Sequence, residues 1–275
     1  MKLSEIYAIA DALAPLSIDE ELLKKYGAYD NSGILVDCGK EITKILFALD
    51  LTLAAVHKAI EIGAQLIITH HPVIYAKINC IRVGDLNPLG EKLALCLEHG
   101  ISVISMHLNL DMAAGGIDES LQQGILRSIG QTTGAGVRSN ENIPAYWEVS
   151  QGKYGRVYDV QACTLGELVD GIQKTFQTQR VWVFGDENKE INKIASFCGA
   201  GGDEPEATFA IKYGADVIVS GEVKHHVLTL CQERGVAVVQ MTHYASEYYG
   251  FKKYYEKISR QVGIECFCFC EDSLL

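Results

Sequence analysis

Short, almost wholly apolar runs alternate with stretches of helical period, and this alternation restricts the fold more than any other feature of the chain. Lys44–Leu49 (KILFAL), Leu66–Thr69 (LIIT) and Ile101–Ser105 (ISVIS) have almost no polar face to offer to water. Such runs suit strands covered on both faces, which belong to largely parallel sheets flanked by helices. The intervening segments carry helix punctuation. Ser17–Glu20 (SIDE) is a capping box opening a short helix that ends near Gly27. Thr52 is placed to cap a helix over Leu53–Ile62 that Gly63 stops. Asn87–Pro88 opens another, with proline at its first position, running to His99 and closed by Gly100. A further helix covers Ile117–Ile129.

After about residue 130 the chain turns polar and glycine-rich (GQTTGAGVRSNEN), which marks a linker, and the pattern then restarts. Tyr146–Val149 and Arg156–Ala162 read as antiparallel strands, and Thr164–Glu167 as a second capping box. Arg180–Phe184, Lys193–Phe197, Asp216–Ser220 and Val236–Met241 read as strands, with helices over Pro205–Tyr213, Lys224–Arg234 and Ala245–Val262, and a last strand over Ile264–Phe269. The expectation is an α/β protein of two lobes, residues 1–130 and 131–275, with mixed, largely parallel sheets.

Charge and composition exclude several classes of partner. Lys plus Arg number 24 against 35 Asp plus Glu, a net charge of −11. That excess of acid argues against duplex DNA and against anionic membrane surfaces. No apolar run approaches the ~20 residues that cross a bilayer. Glu5 and Asp11 interrupt the apolar start, so it does not read as a signal peptide and a cytoplasmic chain is expected. The nine cysteines fit that setting: their number is odd, there is no CxxC, and several lie inside apolar runs.

The chemistry lies in the histidines. Of eight, six follow an apolar run: His70-His71 after LIIT, His107 after ISVISM, His225-His226 after VIVSGEVK, and His243 after AVVQMT. Ligands of open α/β sheets bind beyond the carboxyl ends of strands, so four strands aim imidazoles and carboxylates at one rim. Adjacent side chains diverge, so His70 and His71 suit two ions, one each; the alternative is a hydrogen-bonded surface pair. His243 and Glu247, four residues apart at a helix start, share a face. Imidazole with carboxylate suits zinc, manganese or iron better than calcium or magnesium. Asp111 is a ligand or a polar turn residue. Cys198–Asp203 (CGAGGD) is an anion-binding concavity or a tight turn needing positive φ. It is neither a P-loop nor GxGxxG, so no nucleotide cofactor is expected. Cys266, Cys268 and Cys270 share one face of the last strand, as a soft-metal patch or as core. The tyrosine-rich Tyr244–Tyr255 reads as an amphipathic helix at a subunit contact.

The ordered set IITHHP, SMHLNLD, GAGGDE, SGEVKHH and THYASE, with Asp30–Gly33 and Ala48–Thr52 before it, resembles the NIF-three-like family. Members of that family often carry the label GTP cyclohydrolase 1 type 2 homologue. The resemblance covers nearly the whole chain. It implies two α/β lobes with a dinuclear metal centre between them at strand C-terminal ends, the segment from about 240 to 275 returning to it. It also implies a ring-shaped homohexamer. Its ligands carry over onto His70, His71, Asp111, His243 and Glu247, holding two divalent transition-metal ions (zinc, iron or manganese). His107 and His226 correspond to groups close to the metals that contact substrate or move protons. The chain departs from the family at Gly221-Glu222, His225 and Thr242, and none of these departures is expected to touch a ligand. The resemblance implies a metal-dependent hydrolase acting on a nucleotide-like substrate. The alternative is a non-catalytic metal-binding ring that serves as carrier, store or scaffold. A nucleic-acid-binding ring ranks below both.

Overall fold

A computed structural model describes residues 1–132 and 144–275. The segment read as a linker falls mostly outside the described residues. The chain divides into two compact units, residues 1–113 with 251–270, and residues 114–250 with 271–275.

The first unit opens with α1 (Leu3–Leu13) and α2 (Ser17–Tyr26), then β1 (Gly33–Val36), β2 (Lys44–Ala48), α3 (Leu53–Ile62), β3 (Leu66–Thr69), α4 (Leu89–His99), β4 (Ser102–Ser105) and the one-turn α5 (Leu108–Met112). Its last strand, β11 (Glu265–Cys268), comes from the far end of the chain. The sheet order is β1-β4-β3-β2-β11, with only β1 antiparallel. Residues of β3 and β4 are buried throughout, as their continuous apolar character requires. The core beneath α3 and α4 includes Leu46, Val56, Ala59, Ile67, Leu93 and Val103.

The second unit holds α6 (Ile117–Ser128), β5 (Ala145–Val149), β6 (Gly152–Thr164), α7 (Leu165–Phe176), β7 (Trp182–Phe184), β8 (Glu190–Phe197), α8 (Glu204–Lys212), β9 (Val217–Ser220), α9 (His225–Glu233), β10 (Ala237–Gln240) and the start of α10 (His243–Val262). The order is β5-β6-β8-β9-β10-β7; β8, β9 and β10 are parallel neighbours, and the hairpin β5–β6 and the edge strand β7 run antiparallel. The mixed α/β class read from the sequence is the observed one. The four histidine-bearing strand ends are shared two and two between the sheets.

Most punctuation acts as written. Thr52 Oγ1 accepts from Ala55 N at 3.1 Å, and Gly63 ends α3 in the left-handed region. The Thr164–Glu167 capping box forms on α7. The Ser17 box does not form: Leu16 is the N-cap, its N–H donates to Asp11 Oδ1 at 2.8 Å, and Ser17 is already helical. Pro88 sits at the N-cap of α4, one position before the place expected for it. α10 begins at His243, two residues early, because Thr242 Oγ1 accepts from Ala245 N at 3.0 Å and caps it. No described helix is long and apolar enough to cross a membrane.

Candidate metal centre

In the first unit, β2, β3 and β4 lie side by side and parallel, so the residues after them emerge on one edge. Asp50 follows β2, His70 and His71 follow β3, and His107 follows β4. The N–H groups of His70 and His71 both donate to Leu49 O, at 3.0 and 3.1 Å. Two hydrogen bonds to one carbonyl break the strand's alternation. The two rings therefore converge, with centroids 4.7 Å apart, rather than diverging as adjacent strand residues would. The His107 ring lies 5.1 Å from His70 and 5.5 Å from His71. One nitrogen from each of the three comes within 4.8 Å of the others.

Each ring is oriented through Nδ1. His70 Nδ1 lies 2.8 Å from Met106 O, His71 Nδ1 lies 2.8 Å from Asp50 Oδ1, and His107 Nδ1 lies 2.7 Å from Asp30 Oδ1. Carbonyls and carboxylates only accept, so the proton is on Nδ1 and the Nε2 lone pair points away from the support. Asp30 is itself fixed by Ser32 Oγ and Leu108 N, which donate to its other oxygen. Burial alone would raise its carboxyl. The hydrogen bond and charge of His107, with Ser32 and Asn31, outweigh burial and leave it at about 2. The buried Asn109 locks this edge by donating to Ala14 O at 2.8 Å. Asp111, on α5, places Oδ1 3.5 Å from His70 Nε2.

In the second unit, β8, β9 and β10 deliver three further groups to one sheet edge. Gly199 comes just after β8, Glu222 just after β9, and His243 just after β10. His243 Nδ1 lies 2.8 Å from Glu222 Oε1, and His243 Nε2 lies 3.0 Å from Glu247 Oε1, one helical turn on. Glu247 is 2% exposed. The same design therefore recurs: an acceptor holds Nδ1, and Nε2 faces a buried carboxylate. Such a facing pair is held by a proton between the two atoms or by a metal ion in its place. Metal-ligating histidines characteristically give their other nitrogen to a carboxylate or carbonyl, so the donors fit a borderline divalent transition metal.

The family described as Duf34/NIF3 (NGG1p interacting factor 3) matches residues 1–273. The chain belongs to that family. A Clostridium perfringens relative named GTP cyclohydrolase 1 type 2 homolog is 31% identical over 264 residues, 95% of this chain and 93% of its own length. Among solved structures, reduced HcgD of Methanocaldococcus jannaschii is 27% identical with a TM-score of 0.79, covering 98% of this chain and 97% of its own. A hypothetical protein of Staphylococcus aureus is 25% identical with a TM-score of 0.79, covering 100% and 99%.

Within this NIF3 chain, the expected site residues fall as follows. His70, His71, His107 and Asp111 gather in the first unit, and His243 with Glu247 in the second. His226 is the second residue of the exposed start of α9, and no cluster among the described residues that could hold an ion includes it. Glu222 corrects an expectation: this departure from the family pattern touches a candidate ligand directly, through His243 Nδ1. The supporting roles of Asp30, Asp50 and Glu222 were absent from the sequence reading. Their signal was present as acids just after, or near, apolar runs. In the cysteine strand β11, Cys266 and Cys268 are half-buried, and no ion-holding cluster among the described residues includes them. Burial pushes the Cys266 thiol up to about 11, which suits core packing. Gly199 has φ +59, as the tight-turn reading required.

Proposed function

We propose that the chain binds two divalent transition-metal ions through His70, His71, Asp111, His243 and Glu247, and hydrolyses a nucleotide-like substrate. The observation that supports this most is the repeated orientation of imidazoles. Four rings in two units have Nδ1 held by an acceptor, which leaves Nε2 to ligate at His70, His71 and His243 and to move a proton at His107. Bound ions would act as Lewis acids, polarising the scissile group and lowering the pKa of water. Asp111 and Glu247 bring negative charge to offset the cations. Asp50 and Glu222 keep His71 and His243 in the ligating tautomer. His107, held by Asp30, presents Nε2 for proton transfer to or from substrate. His226, exposed on α9, is available for a substrate contact. The family names of the relatives support the substrate class, and the homohexamer implied by the resemblance belongs to the same reading.

The alternative is a metal carrier or scaffold. A store closes its coordination sphere, whereas a catalytic site keeps a side open. His70 is buried, but His71 and His107 remain half-exposed, which favours the open reading. The test is turnover of a nucleotide and phosphoester panel by protein loaded with zinc, manganese or iron, beside three variants. His243→Ala and Glu247→Ala are expected to lose metal. His226→Ala is expected to keep both ions and lose turnover, by about 10²–10⁴-fold if it moves a proton. Turnover that persists without metal, or a His226→Ala protein that loses metal as readily as Glu247→Ala, contradicts the assignment.

A further inference from the structure

The turn after β8 is more than a connection. Its Gly199 adopts φ +59, and a Cβ built there would collide with Glu247 Oε1 and lie 3.2 Å from His243 Nε2. The volume of the missing side chain is thus where the Glu247 carboxylate sits. Three side chains fix the turn. Cys198 N donates to Asp118 Oδ1 at 3.4 Å, and Tyr154 OH donates to Cys198 O at 2.9 Å. Gly199 N donates to Ser246 Oγ at 2.9 Å, and Ser246 Oγ donates on to His243 O at 2.7 Å. Gly221, after β9, closes the other side: a Cβ there would come within 2.6 Å of Gly199 O and 2.9 Å of His243 Cα. Asp118 is fully buried, is paired with Arg156 and also accepts from Gly155 N, so the support reaches into the core of the unit.

We propose that the Cys198–Gly199 turn is a positioning element for the His243–Glu247 donor pair, with Gly199 as its positioning residue and with Asp118, Tyr154 and Ser246 holding it in place. The absent side chain sets how near the carboxylate stands to His243 Nε2. The turn touches no substrate; it acts through Glu247. This inference rests on the metal reading of His243 and Glu247.

Three variants of the full-length protein separate the seat from backbone strain. Gly199→Ala adds the clashing methyl. Gly214→Ala, in the same unit, imposes similar strain at φ +75, but its Cβ would meet nothing within 4 Å. Gly199→Ala/Glu247→Asp shortens the carboxylate arm to clear the added methyl. Chelator-stripped proteins are titrated with Co2+ and followed by visible absorption, which reports both affinity and coordination geometry. Gly199→Ala is expected to weaken one binding event by about 10–100-fold with an altered band shape, in the range seen when supporting groups of a metal site are lost. Gly214→Ala is expected to titrate as wild type, and the double variant to recover part of the lost affinity. Ser246→Ala, which removes the bridge without adding bulk, is expected to weaken the same event and serves if Gly199→Ala does not fold. Wild-type titration by Gly199→Ala, equal loss in Gly214→Ala, or no recovery in the double variant overturns the inference and leaves the metal reading standing. Absence of Co2+ binding by wild type overturns the metal reading itself, and the inference with it.

Discussion

In the first unit three imidazoles stand just beyond the ends of strands, with Asp111 on the short helix that follows; in the second the donors ride on the first turn of a helix. His70, His71 and His107 emerge from β3 and β4, whose parallel register runs from Leu66↔Ser102 to Thr69↔Ser105 with every residue buried. The ladder sets where those rings emerge, and Met106 O, Asp50 and Asp30 set how they turn. His243 and Glu247 instead depend on what is packed beside α10: the turn at Gly199, and Glu222, whose side chain is 59% exposed. The two arrangements produce the same chemical pattern by different means. Parallel strands fix where the first set of rings emerges, with Asp50 and Asp30 turning two of them, whereas the second set takes its position from the turn and the acid packed beside α10.

The comparison can be broken in several places, and the largest effect on the second unit is expected at Asp118. Asp118→Ala leaves the buried Arg156 guanidinium without its counter-charge and removes the acceptor for Cys198 N. Losing one partner of a buried pair costs about 3–5 kcal/mol, to be read from urea unfolding. The damage should fall on the second unit, so amide exchange should accelerate around Cys198 and His243 before it does in β3 and β4. Acceleration in β3 and β4 to the same extent would erase the distinction.

A smaller effect is expected from the orienting acids. Asp50→Asn and Glu222→Gln keep shape but remove the charge that holds His71 and His243. Metal affinity should fall by about 10–100-fold for such supporting groups, measured by chelator competition. Glu222, the more exposed of the two, should lie at the low end because water screens it. A larger loss at Glu222 than at Asp50 would mean that its hydrogen bond, and not the packed turn, sets the second arrangement.

A further effect appears only as a pH dependence and belongs to the first unit. Burial, and then the charge of Asp30, push the Asp19 carboxyl up to about 8. An unfolded aspartate titrates near ~3.9. The folded chain therefore holds a proton between those values that the unfolded chain has released, and stability falls as pH rises from about 4 to about 8. Asp19→Asn should flatten that fall. Its urea midpoint is expected to exceed that of wild type at pH 8 and to converge on it at pH 4; parallel pH profiles would contradict the assignment.

Much of the fold was legible because its strands are buried on both faces and its helices are punctuated locally. Thr52, Gly63, Thr164 and Gly100 each act within a few residues of where they stand, so a linear reading finds them. β1 escaped because Gly33–Val36 is short and only partly buried. Ser17 misled because the competing bond from Leu16 N to Asp11 lies one turn upstream. The histidines were legible as strand-end residues, while their supports were not. Asp30 lies 77 residues from His107, and Asp50 and Glu222 each lie 21 residues from their partners. A lone acid at a strand end reads as a turn residue until the sheet order brings it beside a ring. The convergence of His70 and His71 depends on two N–H groups sharing Leu49 O, a tertiary contact that no spacing rule encodes.

The central claim is that these oriented imidazoles and carboxylates hold metal, and elemental analysis of gently purified protein tests it most directly. Two transition-metal ions per chain are expected, retained through gel filtration and removed by a strong chelator with a fall in melting temperature through binding linkage. A value of zero that persists after incubation with zinc, manganese and iron would contradict the account.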